Sequence, residues 1–446
     1  MSRIARNTMV QRALSAHRAI GLLTAAILYL VCLTGTLSVF YEEWQRVEQP
    51  AAPEMHAITP DAVQSAVAHV LASEKDKPAT EHLYVHMPVE ALPRATVTTD
   101  TQAMHADSKG RIVMPEHNAW AEFLLLLHYS LNLPSVIGMT IVGALGVAML
   151  ALSLTGVIAH PRIFRDAFRL RARDKEGVGL ADWHNRLGVW TLPFAIAIAL
   201  TGAMIGLATI NGYGLASTSY DGDMEAVYAP IFGAEGPPDA RSAPIPDVAG
   251  PLRTMATRFS GARPIYVIVH DPLTAGQRVQ IIARHDHRLI YCENYNFDGN
   301  GHFLGTTGLA DGAIGQQFIA SAYPLHFGNY GGLPVKLAYA VFGLALTAIV
   351  ATGITIWIRK KERRGYPQPC IRNAWEGVVW GVPLALLVTF LVRQYIGNEA
   401  PFTVIFWLLS CAIVALATVL SDRLRIKSTL QMLISASGVA AILSSI

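Results

Sequence analysis

The chain has 446 residues, of which 52% are hydrophobic and 15% charged, and its mean hydropathy is +0.35. This apolar composition excludes an ordinary soluble protein. The net charge is +3, and no nucleic-acid partner is expected. We therefore predict an α-helical integral membrane protein whose main partner is the lipid bilayer.

Stretches without Asp, Glu, Lys or Arg predict where the chain crosses the membrane, since about 20 apolar residues are needed to span roughly 30 Å of hydrocarbon. Seven predicted spans lie near residues 19–41, 134–159, 187–210, 337–358, 377–392, 401–421 and 428–446. The fifth and seventh are short or mildly polar. A multi-pass protein is the expected result.

Basic residues cluster at four places between these spans: the N-terminus and the segments HPRIFRDAFRLRARDK, RKKERR and DRLRIK. The four clusters alternate along the chain, so all of them can face the cytoplasm under the positive-inside rule. The long loops at about 42–122 and 211–332 then lie outside. Because the N-terminus is one of the basic clusters, we expect it in the cytoplasm. The first apolar run is too long for a removable signal peptide.

Two parts of the chain resemble each other. Residues 17–35, HRAIGLLTAAILYLVCLTG, align without a gap with residues 184–202, HNRLGVWTLPFAIAIALTG. LHYSLNLP precedes the second span and LHFGNYGGLP the fourth, and both spans carry a Thr-Gly pair near the far end. We predict a duplication of helix, outer domain, helix and basic segment, whose copies are related by an axis along the membrane normal.

Both outer loops read as small α+β domains. The first begins with ITPDAVQSAVAHVLA, where Thr59 and Pro60 predict a helix N-cap and first position, and short strand-like runs follow it.

The whole chain is predicted to divide into nine consecutive parts. These are 1–41, cytoplasmic N-terminus and first span; 42–122, outer domain; 123–160, second span; 161–183, basic loop; 184–210, third span; 211–325, outer domain; 326–358, fourth span; 359–376, basic loop; and 377–446, accessory C-terminal helices.

Four of the 15 histidines lie at the ends of the repeated spans. His17 and His184 are expected at the cytoplasmic level, and His128 and His326 at the outer level. Two histidines can bind one metal only if both reach it at about 2 Å, whereas the two levels are separated by most of a roughly 30 Å bilayer. The predicted pairs are therefore His17 with His184 and His128 with His326.

Haem fits such pairs because it supplies four nitrogens itself and needs only axial ligands. Gly35 lies about 27 Å along the helix from His17, so Gly35 and Gly202 are expected at the outer level, and Gly156 and Gly353 at the cytoplasmic one. Glycine would let a flat macrocycle approach the backbone. Thr-Gly pairs are equally typical of helix packing, and one histidine at a helix end is typical of a membrane–water interface.

The chain has no Cys-x-x-Cys-His motif for covalent attachment, so two non-covalently bound haems are predicted.

The motifs HRAIGLLTAAILYLVCLTG, LHYSLNLPSVIG, DWHNRLGVWTLPFAIAIALTG and LHFGNYGGLP resemble the four-helix core of the PepSY-associated transmembrane family of bacteria, often described as iron-regulated membrane proteins. The resemblance covers about residues 10–362. It implies a duplicated haem-binding core with two periplasmic PepSY-like domains in the bacterial inner membrane. It also implies two b-type haems held by His17, His128, His184 and His326, as in siderophore reductases. The three C-terminal spans depart from the minimal four-helix pattern.

The predicted function is a di-haem oxidoreductase that passes electrons from the cytoplasmic side to a ferric siderophore, or another ferric chelate, in the periplasm. Ferrous iron is bound less tightly than ferric iron by hard oxygen ligands, so one electron loosens the chelate. Two alternatives are a non-enzymatic anchor whose PepSY-like domains bind or regulate a peptidase, and haem-mediated electron exchange with quinone. The electron donor, a cytoplasmic protein or quinol, is unknown.

Aromatic side chains near the outer level are candidate walls of the acceptor site: Trp120, Tyr323, Phe327 and Tyr330. An interfacial aromatic belt is the alternative explanation for them.

Overall fold

The structure, a computed structural model, describes residues 3–166, 178–233, 239–285, 288–290, 293–308, 312–419 and 426–445. It divides into two compact units. The membrane unit comprises Met1–Tyr41, Ala119–Leu207 and Pro334–Ile446, and the sheet unit comprises Glu42–Asn118 and Ala208–Leu333. The predicted basic segments 161–183 and 422–427 fall partly outside the described residues.

Most of the described chain is helical. The helices in chain order are α1 (Arg3–Ser38), α2 (Tyr41–Glu48), α3 (Pro60–Ser73), α4 (Ala119–Ser130), α5 (Ser135–Ala159), α6 (Ile163–Asp166), α7 (Val178–Trp190), α8 (Leu192–Gly206), α9 (Ala208–Ser219), α10 (Met224–Phe232), α11 (Ala249–Arg258), α12 (Ile314–Phe327), α13 (Gly332–Arg363), α14 (Pro369–Ile396), α15 (Phe402–Val419) and α16 (Ile426–Ser445). The strands are β1 (His82–His86), β2 (Ala95–Thr98), β3 (Ala103–Ala106), β4 (Ile112–Pro115), β5 (Ala262–His270), β6 (Arg278–His285), β7 (Glu293–Asp298) and β8 (Phe303–Thr307).

The membrane unit holds the helices that can cross a bilayer. Within the described residues, α1, α5, α13, α14 and α15 are long and apolar enough to do so, and α7 and α8 together form a sixth candidate. Helices satisfy their backbone hydrogen bonds internally, as a segment in hydrocarbon must. The chain is therefore a multi-pass membrane protein. The seventh predicted span is helical as α16, but it is not among the helices of the described chain that meet this criterion.

The third predicted span is bent, not continuous. α7 ends at Trp190 and α8 begins at Leu192, with an angle of 66° between them. Pro193 lies in the first turn of α8, and proline breaks a helix because it has no N–H and its ring crowds the preceding turn. His184 therefore lies on α7, whose axis is inclined to that of α8.

The second span is also preceded by a separate short helix. α4 carries His128 and ends at Ser130, and α5 begins only after Pro134. Leu131 and Asn132 between them have φ of 56° and 55°, a left-handed conformation that reverses the chain at a cost for residues with a side chain. In the sheet unit, α12 carries His326 and ends before Gly328, whose φ is 66°.

The sheet unit contains one antiparallel sheet with the strand order β4-β3-β2-β1-β5-β6-β7-β8. The two predicted outer domains supply four strands each and are joined by β1 and β5, with Tyr84 opposite Ile268. Pairing these two strands removes an exposed edge from each half, which explains why two separate small domains do not form. The predicted duplication itself remains a prediction.

One face of this sheet forms the core of the unit. α3 and α11 pack together over it, and side chains such as Val67, Leu83, Val267 and Ile281 are fully buried there. The predicted start of α3 is confirmed: Pro60 is its first residue, and the Thr59 hydroxyl accepts a hydrogen bond from the Ala62 N–H. Alternation along the strands leaves the other face of the sheet to mostly polar side chains.

The accessory helix α14 is fastened to the other helices of the membrane unit by hydrogen bonds. The Tyr29 hydroxyl donates to the Val379 carbonyl at 2.8 Å. The Trp375 indole N–H donates to the Ala351 carbonyl at 3.2 Å. At the other end of α14, the Trp120 indole donates to the Thr389 hydroxyl at 3.1 Å. α14 is thus held against α1, α13 and α4, while α15 and α16 pack mainly on α14.

Candidate functional site

The membrane unit brings two of the predicted ligands together. His17 on α1 and His184 on α7 have ring centroids 6.4 Å apart, and their planes are inclined at 84°. These residues are far apart in the chain and belong to the two predicted repeats. The pairing of His17 with His184 is therefore compatible with the tertiary structure.

Each ring is held by a main-chain carbonyl of a neighbouring helix. His17 Nδ1 lies 3.0 Å from the Leu152 oxygen, and His184 Nδ1 lies 3.0 Å from the Ile349 oxygen. A carbonyl oxygen can only accept, so Nδ1 carries the proton in both rings. In the neutral imidazole this leaves the Nε2 lone pair available, which is the usual arrangement of a metal-binding histidine.

A threonine hydroxyl supports each of these contacts. Thr155 Oγ1 lies 3.3 Å from His17 Nδ1, and Thr352 Oγ1 lies 3.1 Å from His184 Nδ1. Both hydroxyls already donate to a carbonyl of their own helix, at 2.6 and 2.7 Å. Their oxygen atoms therefore accept, and the Nδ1–H of each histidine is shared between a carbonyl and a hydroxyl.

His128 makes the same kind of contact on the partner helix of its own predicted repeat. Its Nδ1 lies 3.0 Å from the Val31 oxygen. In all three cases the carbonyl belongs to the residue four positions before a glycine of a Thr-Gly pair: Gly35, Gly156 or Gly353. The same arrangement of a histidine, a main-chain carbonyl and a glycine therefore occurs three times.

The three glycines lie directly against the histidine rings. A Cβ at Gly35 would lie 2.5 Å from His128 Cε1, and one at Gly353 or Gly156 would lie 3.2 or 3.4 Å from the Cε1 of His184 or His17. The missing side chain lets the imidazole approach the helix closely enough to reach the carbonyl. The glycines thus position the histidines, which differs from the role expected from the sequence.

The donor set at His17 and His184 fits a haem. Two imidazoles that bind one metal from opposite sides at about 2 Å have ring centroids about 6 Å apart, since each centroid lies about 1 Å behind its nitrogen. The observed separation is 6.4 Å, and neither Nε2 has a hydrogen-bond partner among the described residues. No group of three or more His, Cys, Asp or Glu side chains suited to a metal occurs in this part of the chain. A metal that brings its own equatorial ligands fits these residues better than zinc.

His326 lies on α12 in the sheet unit, whereas His128 lies in the membrane unit. Their pairing remains a prediction from the sequence. Gly202 lies in α8, and the preceding Thr201 donates to the Ala197 carbonyl at 2.7 Å. This hydroxyl has the same orientation relative to its own helix as Thr155 and Thr352.

One histidine of the sheet unit is buried in its interior. His105 is only 2% exposed. Its Nδ1 accepts from the Thr96 hydroxyl and its Nε2 donates to Gln49 Oε1, both at 3.0 Å. Burial, and then the nearby Arg94, lower the pKa of His105 to about 4. With both nitrogens engaged, His105 has a structural role.

The structure places three of the four aromatic candidates in two different surroundings. Trp120 is 3% exposed and contacts Thr389 and Phe390 of α14, so it holds the accessory helix and was wrongly expected to line an acceptor site. Tyr323 and Phe327 stack with ring centroids 4.7 Å apart. This stacking does not prevent Tyr323 and Phe327 from lining an acceptor site, so both remain candidates for that role.

Sequence reasoning missed the threonines as partners of the histidines. The Thr-Gly pairs were visible, but the contact needs a helix from elsewhere in the fold. It also missed the polar face of the sheet, although the alternation in RVQIIARH and RPIYVIVH could have predicted two distinct faces.

Comparison with known proteins agrees with the motifs. The family model described as "PepSY-associated TM region" matches residues 14–360. The chain is 26% identical over 293 residues to "Uncharacterized protein PA4219" of Pseudomonas aeruginosa, an alignment that covers 62% of this chain and 73% of that protein. The matched region contains all four histidines and the described sheet. The chain therefore belongs to the family of the PepSY-associated transmembrane region.

Proposed function

We propose that the protein is a di-haem oxidoreductase of the bacterial inner membrane that passes electrons from the cytoplasmic side to a ferric chelate, such as a ferric siderophore, in the periplasm. The observation that carries the proposal is the facing pair His17 and His184, whose rings are 6.4 Å apart with both Nδ1 atoms bound to carbonyls. His128 and His326 are the proposed ligands of the second haem, as the repeat in the sequence predicts.

The chain's own residues would hold and orient the ligand atoms. Leu152 and Ile349 fix the tautomer of the two imidazoles through their carbonyl groups, and Gly156 and Gly353 allow the rings to come close. Both rings are partly buried among helices of the membrane unit, and such an apolar surrounding limits the access of solvent to a metal site. A bound haem supplies a one-electron redox centre whose potential depends on its axial ligands and their hydrogen bonds.

The direction of transfer follows from the basic segments, which favour a cytoplasmic location for both ends of the predicted repeat units. The sheet unit would then lie in the periplasm. A topology reporter fused after Gly233 tests this assignment. An external reporter signal supports the direction, and an internal one contradicts it.

The first experiment is an absorbance spectrum of the purified full-length protein, oxidised and reduced, with a determination of haem per polypeptide. We expect two haems, six-coordinate and low spin, that are released by acid-organic extraction because no attachment motif occurs. Protein without a Soret band after expression with sufficient haem would contradict the proposal and favour the anchoring role. In membranes, reduction by quinol but not by a cytoplasmic reductase would favour the quinone-linked alternative.

A further inference from the structure

The helices of the sheet unit differ in what they expose. α3 and α11 turn their apolar side chains towards the core of the sheet. Their exposed positions hold charged, polar or small residues: Asp61, His69, Ala72, Ser73, Arg253, Ala256, Thr257 and Arg258. This is the usual pattern of a helix that lies between a core and water. α9 and α12 show the reverse pattern.

α12 exposes its large apolar side chains. Ile314 is 86% exposed, and Phe318 and Ile319 are each 50% exposed. With about 3.6 residues per turn, these three positions share one half of the helix circumference. The small residue Ala320 lies on the other half and forms a buried cluster with Ile290, against which a side chain of α10 packs. α12 thus turns a small residue inward and three large apolar residues outward.

α9 is inverted in the same way. Its buried residues are Gly212 and Ala216, and Gly212 lies against the Tyr228 hydroxyl of α10. A narrow strip of small residues is therefore the side by which α9 contacts its neighbour. The exposed positions of α9 include three large side chains, namely Ile210, Tyr213 and Leu215.

α10 connects these two helices to the polar face of the sheet. The Gln280 side-chain amide donates to the Phe232 carbonyl at 2.8 Å, and that of Asn294 donates to the Ile231 carbonyl at 3.3 Å. Both side chains project from the polar face, because their neighbours along the strands lie in the core under α3 and α11. The sheet unit therefore has a polar surface formed by α3 and α11 and, across the sheet, an apolar surface formed by α9 and α12.

The composition of α9 and α12 suits a membrane surface. Neither helix contains Asp, Glu, Lys or Arg, and exposed apolar patches on proteins mark sites of protein or membrane contact. With 14 and 12 residues, α12 and α9 are about 21 and 18 Å long. They are too short to cross roughly 30 Å of hydrocarbon. Short helices with an apolar face can instead lie along the boundary between headgroups and acyl chains.

The chain joins both helices directly to candidate spans. α9 begins at Ala208, immediately after the bent pair α7 and α8, which ends at Gly206. α12 ends at Phe327, and the candidate span α13 begins at Gly332. Five residues of extended chain cover at most about 18 Å. The bilayer is therefore an apolar partner within reach of both helices.

We propose that α9 and α12 lie in the lipid–water interface, with Ile210, Tyr213, Ile314, Phe318 and Ile319 inserted among the lipid headgroups and the upper acyl chains. The bilayer is then a binding partner of the sheet unit as well as of the spans. Because the two helices lack Lys and Arg, insertion depends on their apolar and aromatic side chains and not on attraction to anionic headgroups. The inference does not depend on the proposed redox function.

The depth of spin labels in the full-length protein tests this placement. An azide-bearing amino acid is incorporated at Phe318, Ile314 or Tyr213, one position at a time, and coupled to a nitroxide, so that the native cysteines stay in place. The labelled protein is reconstituted in phosphatidylcholine vesicles. Oxygen is concentrated in lipid and a neutral nickel chelate in water, so the ratio of their collision rates with the nitroxide reports its depth.

Thr257 on α11 and His69 on α3 are the matched control positions, since both are exposed residues on helices of the same unit. We expect the oxygen-to-nickel ratio at the three test positions to be several-fold higher than at the controls. Addition of phosphatidylglycerol should leave the ratio unchanged, as should about 1 M salt, which shortens the screening length to about 3 Å.

Three results would overturn the inference. A ratio at the test positions equal to that at the controls would show that α9 and α12 face water. Labels that collide with neither reagent would show that a second copy of the chain or another protein covers the helices. A high ratio that requires phosphatidylglycerol or is lost at high salt would show electrostatic attraction in place of apolar insertion.

Discussion

His17 and His184 of the membrane unit differ from His105 of the sheet unit in how many of their ring nitrogens the protein engages. His17 and His184 each donate Nδ1–H to a carbonyl, and Nε2 of each ring has no hydrogen-bond partner among the described residues. His105 has both nitrogens bound, one by Thr96 and the other by Gln49. A histidine that the fold satisfies completely is a structural group, and one that the fold orients but leaves half satisfied is prepared for a ligand.

The largest expected effect separates these two classes directly. In the proposed di-haem protein, His184 would be one of two axial ligands, so we expect His184→Ala to lose about one of two haems or to show one high-spin haem. His105→Gln should keep the full haem content, because its ring touches no ligand site. Haem per polypeptide and the oxidised absorbance spectrum measure both variants. Equal haem loss in the two would remove the distinction between them.

Glycine substitutions sharpen the comparison within the membrane unit. Gly35→Ala brings a Cβ to 2.5 Å from His128 Cε1, so the ring must move, whereas Gly156→Ala meets His17 Cε1 at 3.4 Å. We expect Gly35→Ala to lower the amount of six-coordinate haem strongly and Gly156→Ala to lower it slightly. Gly188→Ala is the control, since nothing lies within 4 Å of its Cβ position. The opposite ranking of the two variants would argue against close contact as the reason for these glycines.

The stability of the protein should depend on pH through His105, whose two ring nitrogens are both hydrogen-bonded. Burial lowers the pKa of His105 from 6.5 to about 4. Above pH 6.5 both folded and unfolded chains are neutral at this group, and its full contribution to stability is present. Between pH 6.5 and about 4 only the unfolded chain takes up the proton, so the free energy of unfolding should fall by up to about 3 kcal/mol.

Thermal unfolding of the full-length protein at pH 7.5 and pH 5 measures this loss. His105→Gln is expected to flatten the pH dependence in that interval, since glutamine does not titrate. His86, whose pKa burial also lowers to about 4, should account for a remaining slope. An unchanged pH dependence in His105→Gln would show that other groups control it.

The smallest expected effect concerns the threonine hydroxyls. Thr155→Val or Thr352→Val removes one acceptor from a histidine Nδ1–H but leaves the carbonyl in place. The imidazole becomes a weaker electron donor, so the haem potential should rise by about 20–40 mV, the equivalent of a hydrogen bond worth about 0.5–1 kcal/mol. Spectroelectrochemical titration detects this. Thr140→Val, which removes an exposed hydroxyl of α5 that bonds only to the Val136 carbonyl, should leave both potentials unchanged.

Local chemistry made part of this architecture predictable. The apolar runs predicted helices that the structure contains, and Thr59 with Pro60 predicted the start of α3 correctly. The break before α8 was also encoded, because Pro193 cannot continue a helix. Hydropathy alone does not predict this break, because the apolar run continues through it.

The joining of the two outer domains was beyond such reasoning. A strand's pattern predicts which side chains share a face, but not which edge it pairs with. The pairing of β1 with β5 depends on closing two free edges at once. That contact places His86 opposite Tyr266 and joins the polar faces of the two halves into one.

The sequence by itself determined that this protein spans a membrane, belongs to its family and carries four histidines at matched positions, since hydropathy and motif spacing are properties of the chain alone. The tertiary structure decided what those histidines and glycines do. A hydrogen bond from His17 to Leu152 or from His184 to Ile349 requires two helices to approach within about 3 Å at one height. Such an approach depends on how whole helices pack, because no local pattern of residues specifies the position of a distant carbonyl.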